Sequence, residues 1–308
     1  MTDRMTVSPS MQSMAFSTPF GEIHARNWQP VPAGEPVGGG GDAAGRQVQK
    51  GRAGDGGYPC VVLLHGMFGD VDVWSATALN LARAGLEVLA FDLPGHGRSL
   101  AEVENADETV QALLAALQAY AEARAQHPVP VLLVGHSFGG LVAAMLAARM
   151  QSLQVASPVL SGLVLLSPSG LGEEVNRDFL LGVIEAPDAD AMARVLAALT
   201  VRHFRSSSAY MKAMHARIHS AKDQLYRLVD DVVDGTGRQV HSILEILAAL
   251  PVPVTLVHGR EDAVLPWQQA LNVPGSVAIH LLPDVGHMPH WEAAALVSTI
   301  IGRAAGRG

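Results

Sequence analysis

One serine in this chain stands between glycines at the end of an apolar run. In "VPVLLVGHSFGG", residues 129–140, Gly135 and Gly139 lie two positions either side of Ser137. A serine hydroxyl is a weak nucleophile near neutral pH. It attacks a carbonyl only with a base in hydrogen-bond reach and a carboxylate to orient that base. The G-x-S-x-G spacing suits this role: a strand turning sharply into a helix strains the apex residue, and side chains two positions away would strike the neighbouring strand and helix. The plainer reading is a turn with an incidental serine. A clean strand before it, and the alanine-rich "LVAAMLAARM" after it, favour the nucleophile.

Thirteen histidines compete for the part of the base, so position must decide. His65, His96 and His136 fall in turns after strands and read as structural. His203, His215, His219 and His241 fall in a helical insertion. His287, in "PDVGHMPHWE", follows the last predicted strand on the loop at its C-terminal end, the edge where parallel sheets hold ligands. His290 is its near rival and reads as a loop histidine covering the site. The acid belongs on the loop after the preceding strand. There "VHGREDAVLP" offers Glu261 and Asp262, and the short turn before Pro266 suits Asp262. The alternative loop, after "GLVLLS", holds Ser167, Pro168 and Ser169 and no carboxylate. A tetrahedral oxyanion needs two backbone N–H donors. Phe138, opening the helix after the serine, supplies one. Met67, presented by the His65-Gly66 turn of "LLHGMFGD", supplies the other.

The elements that must position these residues are legible as apolar runs: 60–65, 87–92, 129–135, 162–167, 252–259 and 277–284. Each is continuous rather than alternating, as strands covered on both faces are. Helical patterns such as Val110, Leu113, Leu114 and Leu117 separate most of them, which predicts an α/β fold: a mostly parallel sheet with helices on both faces. A hairpin over about Ser13–Asn27 and a glycine-rich loop, 32–57, precede the core. Residues 58–170 and 251–308 make that core. Between them, 171–250 read as helices only, a cap laid over one end of the sheet. Met192, Val195, Leu196 and Leu199 follow a cap at Asp190, and Val240, Ile243, Leu244 and Leu247 precede Pro251. Trp74, Trp267, Met211 and Met214 are candidates for a pocket lining, although such residues more often belong to plain core.

Composition narrows the function classes. With a net charge of −8, 49% hydrophobic residues and no lysine/arginine cluster, a nucleic-acid partner is not expected. Residues 1–20 lack a basic stretch leading into an apolar one, so no signal peptide is expected. Residues 129–148 carry no Asp, Glu, Lys or Arg, yet Pro130, the glycines and a change of period make them strand, turn and helix rather than a membrane span. The single cysteine, Cys60, leaves no disulfide framework and reads as inert packing in a reducing compartment. A cytoplasmic protein with no membrane partner is expected; the oligomeric state stays open.

"HGMFGD", "DLPGHGRS", "GHSFGG", "HGREDAVLP" and "GHMPHWE" together resemble the α/β-hydrolase superfamily over roughly residues 13 to 305. The order Ser137, Asp262, His287 matches that fold. The resemblance implies Ser137 as nucleophile, Asp262 as acid, His287 as base, and Met67 and Phe138 as oxyanion donors, with no metal or organic cofactor. "LLSPSGLGEEVNRDFLLG" and the helical cap after it are similar to the hydrolase-like domain of some acetoin dehydrogenase dihydrolipoyl acetyltransferase subunits. The chain departs from those subunits in its 57 residues before the core and in its only lysines, Lys50, Lys212 and Lys222, so a lipoyl domain is not expected. The acyltransferase signature H-x-x-x-D-G is also missing. The expected activity is cleavage of esters or thioesters of small acyl substrates. A carbon–carbon hydrolase of ring-cleavage type is the alternative, although "HGMFGD" and His136 replace that group's usual residues. A non-catalytic component of an oxo-acid dehydrogenase complex is the other alternative.

Overall fold

Burial on both faces decides which apolar runs lie side by side. The computed structural model describes residues 9–30, 58–124, 128–202 and 207–307; the expected glycine-rich loop and His203 lie outside these. Eight strands form one sheet: β1 (Ser10–Thr18), β2 (Gly21–Gln29), β3 (Cys60–Leu64), β4 (Val88–Phe91), β5 (Pro130–His136), β6 (Val159–Leu166), β7 (Val254–Gly259) and β8 (Ala278–Leu282). Their order is β1-β2-β4-β3-β5-β6-β7-β8. The β1–β2 hairpin is antiparallel and joins β4 antiparallel; every other pairing is parallel. The expected hairpin is therefore present, with both arms longer than predicted.

All of β3 and β4 is buried, as continuous apolar runs require. Along β3 the side chains alternate between two cores. Val62 and Leu64 pack with residues of the helix after β5, Val61 and Leu63 with Trp74, Leu81 and Ile301. β8 departs from expectation: Ala278, Ile279 and His280 are exposed, because β8 is the sheet's edge. Apolar continuity alone did not distinguish an edge from a centre.

Among the described residues the helices are α1 (Ser75–Arg83), α2 (Ala106–Glu122), α3 (Phe138–Ser152), α4 (Arg177–Glu185), α5 (Ala189–Leu196), α6 (Ser208–Ser220), α7 (Lys222–Val232), α8 (Leu244–Ala249), α9 (Pro289–Glu292) and α10 (Ala294–Ala304). Five of them, α4 to α8, fall between β6 and β7. Two boundaries there differ from the sequence reading. The cap of α5 is Asp188, whose Oδ1 accepts the Ala191 N–H at 2.7 Å; Asp190 sits inside the first turn. α8 starts at Leu244, not near Val240, because the preceding chain is drawn into extended bridges, Glu174 with Arg238 and Val233 with Gln239. No described helix is long and apolar enough to cross a membrane.

Candidate active site

The turn from β5 into α3 holds Ser137 at φ 53°, ψ −121°, a region that non-glycine residues occupy at a cost of about 1–3 kcal/mol. Surrounding hydrogen bonds over-determine it. The Ser137 N–H donates to Leu166 O at 3.0 Å, and its carbonyl accepts from Gly140 at 2.8 Å and Ser169 at 3.1 Å. Each such bond contributes about 0.5–1.5 kcal/mol net, so together they offset the strain. The flanking glycines are required by close approach. A Cβ at Gly135 would lie 2.2 Å from Gly139 O, and one at Gly139 would lie 2.3 Å from His65 O. The collisions fall on helix and strand backbone, as the spacing predicts.

Asp262 and His287 are brought together. His287 Nδ1 lies 2.8 Å from Asp262 Oδ2, with the carboxylate side chain fully buried. Asp262 Oδ1 accepts the N–H groups of Val264 at 2.8 Å and Leu265 at 2.9 Å, so the short turn before Pro266 aims the carboxylate. Burial would push this carboxyl up. The His287 charge, with hydrogen bonds from His258 and His287, outweighs that and holds it well below the ordinary range. Asp262 therefore stays ionised, and a donor on Nδ1 leaves Nε2 of His287 as the ring's acceptor. Ser137 and His287 line the same cavity, together with Gly66 and Met67. They make no direct hydrogen bond to each other.

The Met67 and Phe138 amides donate to no other protein group among the described residues, and both residues line space next to Ser137. His65 shapes the loop that carries Met67. Its Nε2 accepts the Leu93 N–H at 3.0 Å, which leaves Nδ1 to donate to Gly66 O at 2.8 Å. His96 is buried against His65, with ring centroids 5.2 Å apart. Both are placed structurally, as the sequence reading had them.

Three supports of His287 escaped the sequence. His136 Nε2 donates to the His287 carbonyl at 2.7 Å. His258 Nε2 lies 3.2 Å from Asp262 Oδ2, a second imidazole on the acid. Glu292 accepts from Gly286 through Oε2 at 2.7 Å, and from Val201 and Arg202 through Oε1 at 2.9 and 3.1 Å. It thereby ties the histidine loop to the helical insertion. No local pattern marks these contacts; only the nearness of Glu292 to His287 in sequence hints at one. His290 is fully buried between Trp74 and His136, at centroid distances of 4.3 and 4.8 Å.

The cavity holding Ser137 and His287 opens to solvent, and with that open space it spans about 640 Å³. From the insertion come Phe179, Leu180, Leu196, Leu199, Tyr210 and Met214. Of the four suggested lining residues, Met214 is therefore in the wall. Trp74 is core, fully buried, Met211 is buried in the core cluster, and Trp267 packs under the Arg260 guanidinium at 5.2 Å.

A parallel sheet whose strained serine turn faces a carboxylate-bound histidine at its C-terminal edge defines a class, the α/β hydrolases. A model of the alpha/beta hydrolase family matches residues 61–299, and the chain belongs to that family. Among relatives, it is 33% identical over 253 residues to a dihydrolipoyllysine-residue acetyltransferase component of the acetoin cleaving system of Pseudomonas putida, covering 80% of this chain and 62% of that one. The chain thus spans under two thirds of that relative. Among solved structures, the 2-hydroxy-6-oxo-6-phenylhexa-2,4-dienoate hydrolase of a Rhodococcus superposes with a TM-score of 0.73 at 16% identity, covering 96% of this chain and 99% of that one. A carboxylesterase of Bacillus subtilis superposes with a TM-score of 0.68 at 15% identity, covering 95% and 90%. These two likenesses are of fold.

Proposed function

We propose that the protein is a serine hydrolase of carboxylic esters or thioesters with small, fairly apolar acyl groups, the helical insertion acting as its cap. Ser137 attacks the carbonyl carbon while His287 Nε2 takes the hydroxyl proton. Asp262 keeps the imidazole in the required tautomer and stabilises the imidazolium. The Met67 and Phe138 N–H groups receive the developing oxyanion, each contributing about 3 kcal/mol to the transition state. His287 then returns its proton to the leaving oxygen. Water, activated by the same Nε2, attacks the acyl-enzyme and frees Ser137 and the acid. The 2.8 Å Asp262–His287 bond at the cavity that also holds Ser137 carries the reading.

The test is labelling with a fluorophosphonate probe, followed by assay of short p-nitrophenyl esters beside a ring-cleavage dienoate. Label at Ser137 and ester turnover are expected. Intact protein that takes no label while a control esterase does removes the nucleophile. Dienoate cleavage with negligible ester turnover moves the assignment to carbon–carbon hydrolysis.

A further inference from the structure

Ser137 stands between two chambers of different chemistry. The second is the smaller and shares Met67, Ser137, Leu180 and Val264 with the first. His287 lines only the first. A leaving oxygen must collect its proton from His287, so the alcohol or thiol portion belongs in the first chamber and the acyl portion in the second. This assignment rests on the hydrolase reading above.

The second chamber is mainly hydrocarbon, with three polar side chains in its wall besides Ser137: Ser169, Gln239 and His241. The Gln239 amide is already committed. Its Oε1 accepts from Gly170 at 2.8 Å, and its Nε2 donates to Gly172 O at 2.8 Å and Glu174 O at 3.0 Å. His241 is not committed. Its Nε2 lies 3.1 Å from Asp231 Oδ2, and the same oxygen accepts the Ala106 N–H at 2.9 Å, which anchors the carboxylate at the start of α2. With Nε2–H donating to Asp231, Nδ1 keeps its lone pair and has no partner among the described residues. This is a second carboxylate-oriented imidazole, in the chamber that His287 does not line. Among the described residues no lysine or arginine lines either chamber, so an ionised carboxylate on the acyl group would meet no fixed counter-charge from them. A hydroxyl would meet an oriented acceptor.

We infer that the second chamber is an acyl subsite for short hydroxyacyl groups, with His241 Nδ1 accepting a hydrogen bond from the acyl hydroxyl and Asp231 holding the ring. His241 is thus a specificity residue. It takes no part in the proton transfers assigned to His287.

Binding to the Ser137→Ala protein tests this without turnover. Phenyl butanoate, phenyl 3-hydroxybutanoate and phenyl 4-hydroxybutanoate are titrated calorimetrically. At least one hydroxy ester is expected to bind about 10-fold more tightly than the plain ester, the size of one good hydrogen bond. Adding His241→Leu should bring the esters within about 2-fold, whereas His241→Gln, which keeps an acceptor, should retain most of the preference. Equal affinity for all three in Ser137→Ala overturns the subsite and needs no cap variant to fold; so does a preference that survives His241→Leu. A binding preference without turnover by the wild-type protein removes the hydrolase reading and leaves the subsite standing. Turnover of all three esters with equal binding does the reverse.

Discussion

Lowering the pH from 7 to 5 should remove about 4 kcal/mol of stability through two residues, His96 and His290. Burial pushes both imidazoles down to about 3, helped at His96 by the charge of His65 and at His290 by that of His287. An unfolded histidine titrates near 6.5. Between that pH and about 3 the unfolded chain binds protons that the folded chain refuses, so stability falls as pH falls. At pH 5 the linkage amounts to about 2 kcal/mol per group, a large share of the 5–15 kcal/mol typical of a domain. His65 and His136, also held below their ordinary values chiefly by burial, act in the same direction. Two buried carboxylates leave the effect unmasked. Asp262 and Asp92, both lowered against the opposing pull of burial, lose their contribution only below the ordinary carboxylate range. Asp70, raised by burial, works in the opposite direction between its raised value and the ordinary carboxylate range, and there offsets part of the loss. Urea titrations followed by tryptophan fluorescence at pH 7, 6 and 5 read the slope directly. His290→Phe isolates one term. Both His290 nitrogens lack a hydrogen-bond partner among the described residues, so removing them costs little at pH 7, and the variant should lose about 2 kcal/mol less than wild type on going to pH 5. Stability that stays flat from pH 7 to 5, or an unchanged slope in His290→Phe, would refute the reasoning.

Asp262→Asn should lower kcat on a p-nitrophenyl ester about 10⁴-fold with KM little changed, since the amide favours the wrong His287 tautomer; stopped-flow and steady-state rates measure it. Gly139→Ala places a methyl 2.3 Å from His65 O and 2.4 Å from Leu64 O. The elbow must then shift against two backbone groups, at a cost of about 3 kcal/mol or more, read as a drop in Tm and in fluorophosphonate labelling rate. Glu292→Gln weakens the hold on three N–H groups around the histidine loop and should cost about 1.5–3 kcal/mol. Its kcat should fall while KM moves less, and Glu292→Ala should fall further.

The core strands were legible because burial on both faces leaves a direct trace, an unbroken apolar run. β8 shows the limit of that trace, since Ala278 and Ile279 are apolar and exposed alike. Ser137, Asp262 and His287 were legible for a different reason: each follows a strand that the pattern locates, so topology alone places all three at one edge. His136 was placed by the same pattern as a structural histidine, but neither its contact nor that of Glu292 was legible. The His136–His287 bond spans 151 positions, and nothing periodic relates its ends. Asp188 and Asp190 are both good caps by type. The choice between them is made by the extended backbone at Asp188, φ −154° and ψ 172°, which composition does not encode.

The insertion and His287, the proposed base, are one mechanical unit. His287 is held on its ring by Asp262, on its carbonyl by His136, and on its own N–H by the carbonyl of Leu199 at 2.8 Å. Leu199 ends the short turn after α5, and with Leu196 it also forms part of the wall facing Ser137. A substrate too large for this chamber must push that turn outward. Either the turn carries His287 with it, away from the bond to Asp262, or the His287–Leu199 hydrogen bond breaks. Leaving such a buried pair unmade costs about 1–3 kcal/mol per group, before any loss from displacing the base. In the proposed mechanism substrate size is therefore limited by the contact that positions His287, and a small acyl substrate suits a cavity whose outer wall belongs to the insertion.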